Sequence, residues 1–287
     1  MESLLSLSFD YLSSNDGVKI RKGLRQLEGL LAQICLSRSS SSPPDRRSSV
    51  IANGASKQST KELSSLKNDP AFREFFKLQE GFEWNVAIRL ITTLERLLSR
   101  SSTGANDLLL VGTLELLHGI LLMHPPSRSL FAREIYMNLL LDLLEPTCCP
   151  AIQSSALLTL VTALLSTPQN TRTFEDVDGL LAVTSLFKNR GTSRDVKMKV
   201  VEFLYFYLMP ETPVVGDGWG GDGGGGGLQR SPSKRAGNVG GIMGPSGREV
   251  KTRTTDEKQA LLGRHLSNVE DLVEDLRESA PFGAILA

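Results

Sequence analysis

Histidine and cysteine are scarce in this chain, which has three of each among its 287 residues. The cysteines, Cys35, Cys148 and Cys149, are odd in number and form no CxxC pair, so neither a disulfide framework nor a zinc site is expected. We interpret them as reduced intracellular thiols. The sequence also lacks GxSxG, HExxH and a phosphatase-type cysteine with an arginine six positions on. These absences predict a protein that is not an enzyme and that uses no metal or cofactor.

An excess of charge of either sign is also missing, because 32 lysines and arginines balance 32 aspartates and glutamates. A protein that binds nucleic acid needs a basic stripe to contact phosphates. No nucleic-acid partner is therefore expected.

Long hydrophobic runs are absent as well. The most apolar run, residues 108–123, has only 16 positions and contains Glu115 and His118. It is too short and too polar to span about 30 Å of hydrocarbon. The N-terminus has neither a basic region nor a small-residue cleavage site. We therefore expect a soluble, cytoplasmic protein without an integral membrane segment.

Two segments have a composition typical of disordered chains. Residues 37–60 are rich in serine, proline and arginine, and residues 213–248 form a glycine-rich basic linker. The linker contains nine glycines between Gly216 and Gly227 but no GK[ST], so a phosphate-binding loop is not expected. The remaining predicted domains are an N-terminal helical cap (1–36), an armadillo-like helical core (61–212) and a C-terminal amphipathic helical segment that docks on the core (249–287).

Apolar residues recur at spacings of three and four through the central part of the chain, which predicts helices. Residues 106–123 are apolar nearly all round, which predicts a central buried helix. His118 lies in this stretch, and we interpret it as a core histidine rather than a general base. No alternating strand pattern is found, so the predicted fold class is all-α.

A helical pattern recurs at an offset of 43 residues. The matched positions are Pro125 with Pro168, Phe131 with Phe174, and, in a weaker third copy, Phe76 and Gly81 with Phe174 and Gly179. Helical periods of about 40–47 residues are typical of armadillo and HEAT repeats, in which each unit buries its apolar face against a neighbour. The expected architecture is an armadillo/HEAT-like helical repeat solenoid with two disordered low-complexity insertions. An irregular helical bundle is the alternative.

The stretch 258–279 is predicted to form an amphipathic helix with one acidic face. Such a helix either docks back on its own core or is delivered to a groove on a partner. Both alternatives stay open at this point.

Ser231 is a candidate phosphorylation site. It begins the tetrapeptide Ser231-Pro232-Ser233-Lys234, which fits the serine-proline-x-basic pattern of cell-cycle kinases. A phosphate there would offset the local positive charge of the linker.

Three long stretches carry a family resemblance: DPAFREFFKLQEGFEWNVAIRLITTLERLL, HPPSRSLFAREIYMNLLLDLLEP and LLGRHLSNVEDLVEDLRESAPFG. They resemble the fungal cell division control protein 14 family, a septation initiation network component unrelated to the phosphatase of the same name. The resemblance covers nearly the whole chain apart from the low-complexity segments. It implies a non-catalytic binding or regulatory subunit of a Ste20-like germinal-centre protein kinase, needed for septum formation and cytokinesis. It also implies a location in the cytoplasm and at the spindle pole body.

Three residues near the start of the first long core helix are candidates for binding a partner: Phe82, Trp84 and Arg89. Aromatic and arginine side chains dominate the energetics of most protein interfaces. For Trp84, packing into the core is the alternative interpretation. Two other functions stay open: a general armadillo-like scaffold or adaptor with a different protein partner, and an enzyme with an unrecognised site.

Overall fold

The computed structural model describes residues 1–36, 61, 66–100, 104, 106–211, 242–243, 249–250, 252–271 and 274. In chain order the described α-helices are α1 (Glu2–Leu12), α2 (Gly17–Cys35), α3 (Pro70–Glu80), α4 (Val86–Ser99), α5 (Asp107–Met123), α6 (Glu134–Asp142), α7 (Pro150–Leu164), α8 (Pro168–Asp176), α9 (Gly179–Lys188), α10 (Arg194–Leu208) and α11 (Thr255–Leu262). A 3-10 helix covers Pro125–Ala132. The only strands of the described part are β1 (Ile242–Met243) and β2 (Glu249–Val250), which pair antiparallel. The helical fold class is confirmed.

Several helices begin at residues whose side chains accept hydrogen bonds from the first backbone N–H groups, which no helical carbonyl satisfies. Asp16 caps α2 in this way, Asp69 caps α3 just before Pro70, and Ser193 caps α10. At α11 the cap is reciprocal, because Thr254 accepts from the Glu257 N–H while the Glu257 side chain accepts from the Thr254 N–H. Local sequence alone therefore determines where these helices start.

Chain contacts divide the protein into two units. The first unit contains residues 1–130 and 151–162, and its helix α1 packs on α2 while α4 packs on α5. The approach of α1 and α2 is close at Gly23, where an added Cβ would lie 3.0 Å from the Ser8 carbonyl oxygen. Two leucines of α5 are exposed, Leu108 and Leu122. The prediction of a central buried helix therefore fails at these two positions, although α5 is covered by α2, by α4 and by Thr159 and Thr162 of α7.

The second unit contains residues 131–150 and 163–287. Here α9 and α11 both pack on α10, and α6 packs on α8. The ring of Phe174 has no exposed surface and lies 5.6 Å from the Phe203 ring and 6.3 Å from the Tyr207 ring, measured between centroids. Phe131, its counterpart in the sequence repeat, is also fully buried.

The C-terminal amphipathic stretch differs from the single helix predicted over 258–279. Helix α11 ends at Leu262, because turns follow in which the Arg264 and His265 N–H groups bond back to the Leu261 and Leu262 carbonyls, three residues earlier. The apolar face persists through the turn, since Leu262, Leu266 and Val269 are all buried. The predicted domain boundaries stay a prediction. The two low-complexity segments lie outside the described residues except for β1.

No single helix of the described residues is long and apolar enough to cross a membrane. One pair, α5 with the following 3-10 helix, reaches the required length and composition together but is bent by 117°.

Candidate functional site

The loop between α3 and α4 is held by two buried amide side chains of the first unit. Gln79 accepts a hydrogen bond from the Val86 N–H at 2.8 Å and donates one to the Trp84 carbonyl at 3.1 Å. Asn85 caps α4 by accepting from the Ile88 N–H and donates to the Gln79 carbonyl at 2.6 Å. A buried amide without hydrogen-bond partners destabilises the folded protein. These reciprocal bonds therefore hold the loop in one conformation.

This loop and the first turn of α4 carry the three predicted partner-binding residues, and the structure brings two of them together. Trp84 is half-buried and its ring stacks on Phe9 with centroids 6.3 Å apart. The Arg89 guanidinium lies over the same phenylalanine, 5.3 Å from the ring centroid. Phe82 does not join this stack and is 74% exposed. We call Phe82, Trp84 and Arg89 the aromatic–arginine surface.

Phe9 is the residue that the sequence reasoning missed at this surface. It lies on α1, where Leu5, Phe9 and Leu12 are buried at helical spacing. That spacing could have indicated a packed face, but nothing in it points to Trp84. The interpretation of Trp84 as a packing residue is therefore partly correct, because its ring is both stacked on Phe9 and half-open to solvent.

Chemically, the aromatic–arginine surface suits protein binding. An exposed phenylalanine beside a stacked tryptophan offers apolar area, and burying such a side chain contributes about 1.5–3 kcal/mol. A guanidinium held over an aromatic ring keeps its donors pre-arranged for a partner's carboxylate or carbonyl. The surface has no arrangement of a nucleophile and a base.

Two histidines, His118 and His124, each lie beside a hydroxyl group, as a general base would. His118 is half-buried and its Nδ1 lies 2.6 Å from the Thr162 hydroxyl, and burial lowers the pKa of this histidine. His124 Nδ1 lies 2.8 Å from the Ser127 hydroxyl, but His124 is only 2% exposed and Ser127 only 3%. Ser127 also accepts a hydrogen bond from Asn85. A substrate therefore cannot reach the serine–histidine pair, whereas His118 is only half-buried, so its interpretation as a core histidine is partly confirmed.

Burial of His124 predicts a loss of stability in mild acid. Burial lowers the pKa of His124 to about 4, against an ordinary value of 6.5. At pH values between these two, His124 is protonated in the unfolded chain and neutral in the folded chain. The free energy of unfolding therefore falls as pH falls from 6.5 towards 4. We expect this group to lower the free energy of unfolding by about 2 kcal/mol at pH 5 relative to pH 7.

The measurement is urea unfolding at both pH values, with His124→Gln compared to the natural chain. The difference between pH 7 and pH 5 should shrink in this variant. An equal loss in His124→Gln and in the natural chain would show that other groups cause the acid sensitivity.

The cysteines form no disulfide with one another. Cys35 lies 3.8 Å from the Met123 sulfur, and burial raises the pKa of its thiol while nearby Lys61 lowers it. Within the described residues, no group of three or more His, Cys, Asp or Glu side chains is placed to hold a metal ion.

The second unit contains a group of buried charges that the sequence did not predict. We call Arg172, Glu175, Glu211, Arg253 and Lys258 the charge cluster. Glu175 lies 3.3 Å from Arg172 and 3.1 Å from Arg253, and its other oxygen accepts the Tyr207 hydroxyl at 2.8 Å. Glu211 pairs with Arg172 and, at 3.4 Å, with Lys258. The two glutamate side chains are only 7% and 8% exposed.

The charge cluster holds the C-terminal segment on the rest of the second unit. The Glu211 side chain accepts the Arg253 N–H at 2.9 Å, and the Glu211 N–H donates to the Arg253 carbonyl at 3.1 Å. Residues 211 and 253, on either side of the glycine-rich linker, therefore meet. Burial raises the pKa of both Glu175 and Glu211, and the neighbouring cations oppose this shift. The candidate phosphorylation site Ser231 lies outside the described residues.

Comparison with known proteins gives one consistent result. A family model described as "Cell division control protein 14, SIN component" matches residues 1–282. The chain is similar to "Cell division control protein 14" of Schizosaccharomyces pombe, with 28% identity over 298 residues that cover 99% of this chain and 98% of that protein. No solved structure matches the chain.

Proposed function

This chain belongs to the cell division control protein 14 family of septation initiation network components, and from that premise we propose that it is a non-catalytic binding subunit of a Ste20-like germinal-centre protein kinase. In this proposal the chain supports the kinase during septum formation and cytokinesis. It is cytoplasmic and is recruited to the spindle pole body with its partner.

The aromatic–arginine surface is the observation that carries the kinase-binding proposal. Phe82 is large, apolar and 74% exposed, and it extends from a loop that buried hydrogen bonds hold in place. Pre-ordered anchors lose little entropy on binding, which favours affinity. Trp84 and Arg89, which meet at Phe9, are of the residue types that most often dominate binding energy.

We further propose that the helices form armadillo-like repeats. Proline starts the 3-10 helix at Pro125 and α8 at Pro168, and the matched Phe131 and Phe174 are both fully buried, which supports this repeat. Repeat proteins present long binding surfaces without needing an active site. Phosphorylation of Ser231 would offset the positive charge of the linker and so regulate the protein.

Isolation of the protein from mitotic fungal cells tests the partner. A Ste20-like kinase is expected at equal stoichiometry, and its activity should fall when this chain is depleted. A different stoichiometric partner at every stage of the cell cycle would favour a general scaffold or adaptor instead. Catalytic activity of the pure chain would contradict a non-catalytic role.

The substitution Phe82→Ala is expected to weaken kinase binding about 30-fold, because truncation of a central anchor costs about 2 kcal/mol. Binding of purified kinase would be measured by surface plasmon resonance. Because Phe82 is exposed, its removal should leave the melting temperature unchanged.

The matched control is Leu108→Ala, which removes an equally exposed apolar side chain (77%) from α5 of the same unit. This control should bind the kinase normally. Equal affinities for Phe82→Ala, Leu108→Ala and the natural chain would place the interface elsewhere.

A further inference from the structure

A cavity of about 150 Å³ lies beside the charge cluster in the second unit. Its apolar walls come from the end of α7, the start of α8 and the end of α10: Leu164, Leu165, Pro168, Phe206, Met209 and Pro210. Tyr207, Glu211 and Lys258 also line it. A cavity of about this volume holds a group the size of benzene, which is the size of one medium side chain.

Lys258 is the polar group that indicates what the cavity binds. Its side chain is only 5% exposed, and its ammonium carries three N–H donors. One donor bonds to the Met209 carbonyl at 2.9 Å. The other contact is to Glu211 at 3.4 Å, through an oxygen that also pairs with Arg172. Its third neighbour is the face of the Tyr207 ring, whose centroid lies 5.2 Å from Nζ. The carboxylate that contacts this buried cation is therefore distant and shared with Arg172.

The charges of the whole cluster lead to the same conclusion. Three cations, Arg172, Arg253 and Lys258, face two carboxylates, Glu175 and Glu211. A third carboxylate, Glu257, also acts on Glu211, but it is partly exposed and accepts the Thr254 N–H at the start of α11. A buried cation without a full anionic partner is costly, so a carboxylate that enters the cavity would be stabilised.

We propose that this cavity receives the side chain of a glutamate from a partner polypeptide, with its carboxylate on Lys258 Nζ and its methylene groups against the apolar walls. The site is distinct from the aromatic–arginine surface and does not depend on the partner being a kinase. A polypeptide is favoured over a free small acid because Met209, at the cavity, is 47% exposed and offers apolar area to the residues flanking the glutamate.

Methyl NMR of the full chain tests this site, with the Met209 methyl as reporter. Glutamate blocked at both ends as N-acetyl-glutamate amide should shift this signal saturably. The blocked glutamine analogue should bind at least tenfold more weakly, because it lacks the charge that Lys258 pairs with. Butyrate, which has the same carboxylate and a similar stem but no backbone, should also bind more weakly.

Two variants complete the test. Lys258→Met removes the ammonium. Thr171 also lines the cavity, and Thr171→Leu fills it without altering a charge. Each substitution should weaken binding of the blocked glutamate at least tenfold. If Lys258→Met does not fold, binding of the blocked glutamate to Thr171→Leu alone tests the proposal. The control Lys199→Met removes a lysine that is 46% exposed and should bind normally. Three outcomes would overturn the proposal: no saturable shift at up to about 50 mM ligand, equal binding of the glutamine analogue, or equal binding of butyrate.

Discussion

The substitution Glu211→Gln is expected to lower the free energy of unfolding by about 3–5 kcal/mol, because it breaks a buried group of ion pairs from one side. Glutamine keeps the shape of the side chain and removes only its charge. Arg172 and Lys258 would then lose their shared carboxylate, and their side chains are 17% and 5% exposed, so water cannot replace it. A typical domain has only about 5–15 kcal/mol of stability, so this loss is large.

The position of Glu211 increases the effect. Its side chain also accepts the Arg253 N–H, and its own N–H donates to the Arg253 carbonyl. Weakening Glu211 therefore also weakens the attachment of the segment that leads into α11. We expect α11 to become accessible to protease in this variant before the rest of the second unit unfolds.

The free energy of unfolding would be measured by urea titration, and the accessibility of α11 by limited proteolysis. The matched control is Glu202→Gln, which breaks the exposed i,i+3 pair with Lys199 on α10. Exposed pairs contribute less than about 1 kcal/mol, so the control should be nearly neutral. Similar small losses in both variants would show that the charge cluster contributes little to stability.

The substitution Gly179→Ala is expected to lower the free energy of unfolding by about 3 kcal/mol or more, at the upper end for overpacked cores. An added Cβ at this position would lie 2.2 Å from two ring carbons of Phe174 and 2.6 Å from the Phe174 carbonyl oxygen. The ring cannot move aside, since it is fully buried against Phe203 and Tyr207. The preceding residue, Asp178, already has a left-handed backbone with φ of 59°.

Gly29→Ala provides the matched control for this prediction. Gly29 is exposed within α2, and an added Cβ would meet nothing within 4 Å. The same chemical change should therefore stabilise the protein by about 0.5–1 kcal/mol, because alanine is the better helix former. The melting temperatures of the two variants should move in opposite directions. If Gly179→Ala had the same melting temperature as the natural chain, the side chains around Phe174 would have rearranged at little cost in free energy.

The sequence repeat matched residues without determining their surroundings in the fold. The alignment placed Gly179 opposite Gly81. In the structure the two glycines have different surroundings, since an added Cβ at Gly81 would meet only the Leu78 carbonyl oxygen at 3.7 Å. The need for glycine at position 179 comes from the buried Phe174 ring, which a one-dimensional pattern does not contain.

The aromatic–arginine surface was partly predictable. Residue type and position singled out Phe82, Trp84 and Arg89. Their separation into an exposed ring and a pair stacked on Phe9 depends on how α1 packs beside the α3–α4 loop. Helical spacing reports which side of α1 is apolar, but it does not report which helix covers that side.

The sequence by itself determined the helical fold class, several helix starts and the family. These depend on interactions between residues close in the chain, such as the caps at Asp16 and Ser193, or on long stretches of similarity. Only the tertiary structure decided that Glu175, Glu211 and Lys258 are buried together beside a cavity. Charged residues carry no periodic signal of burial, because on most helices they face water, and they are buried only where distant segments supply their counter-charges.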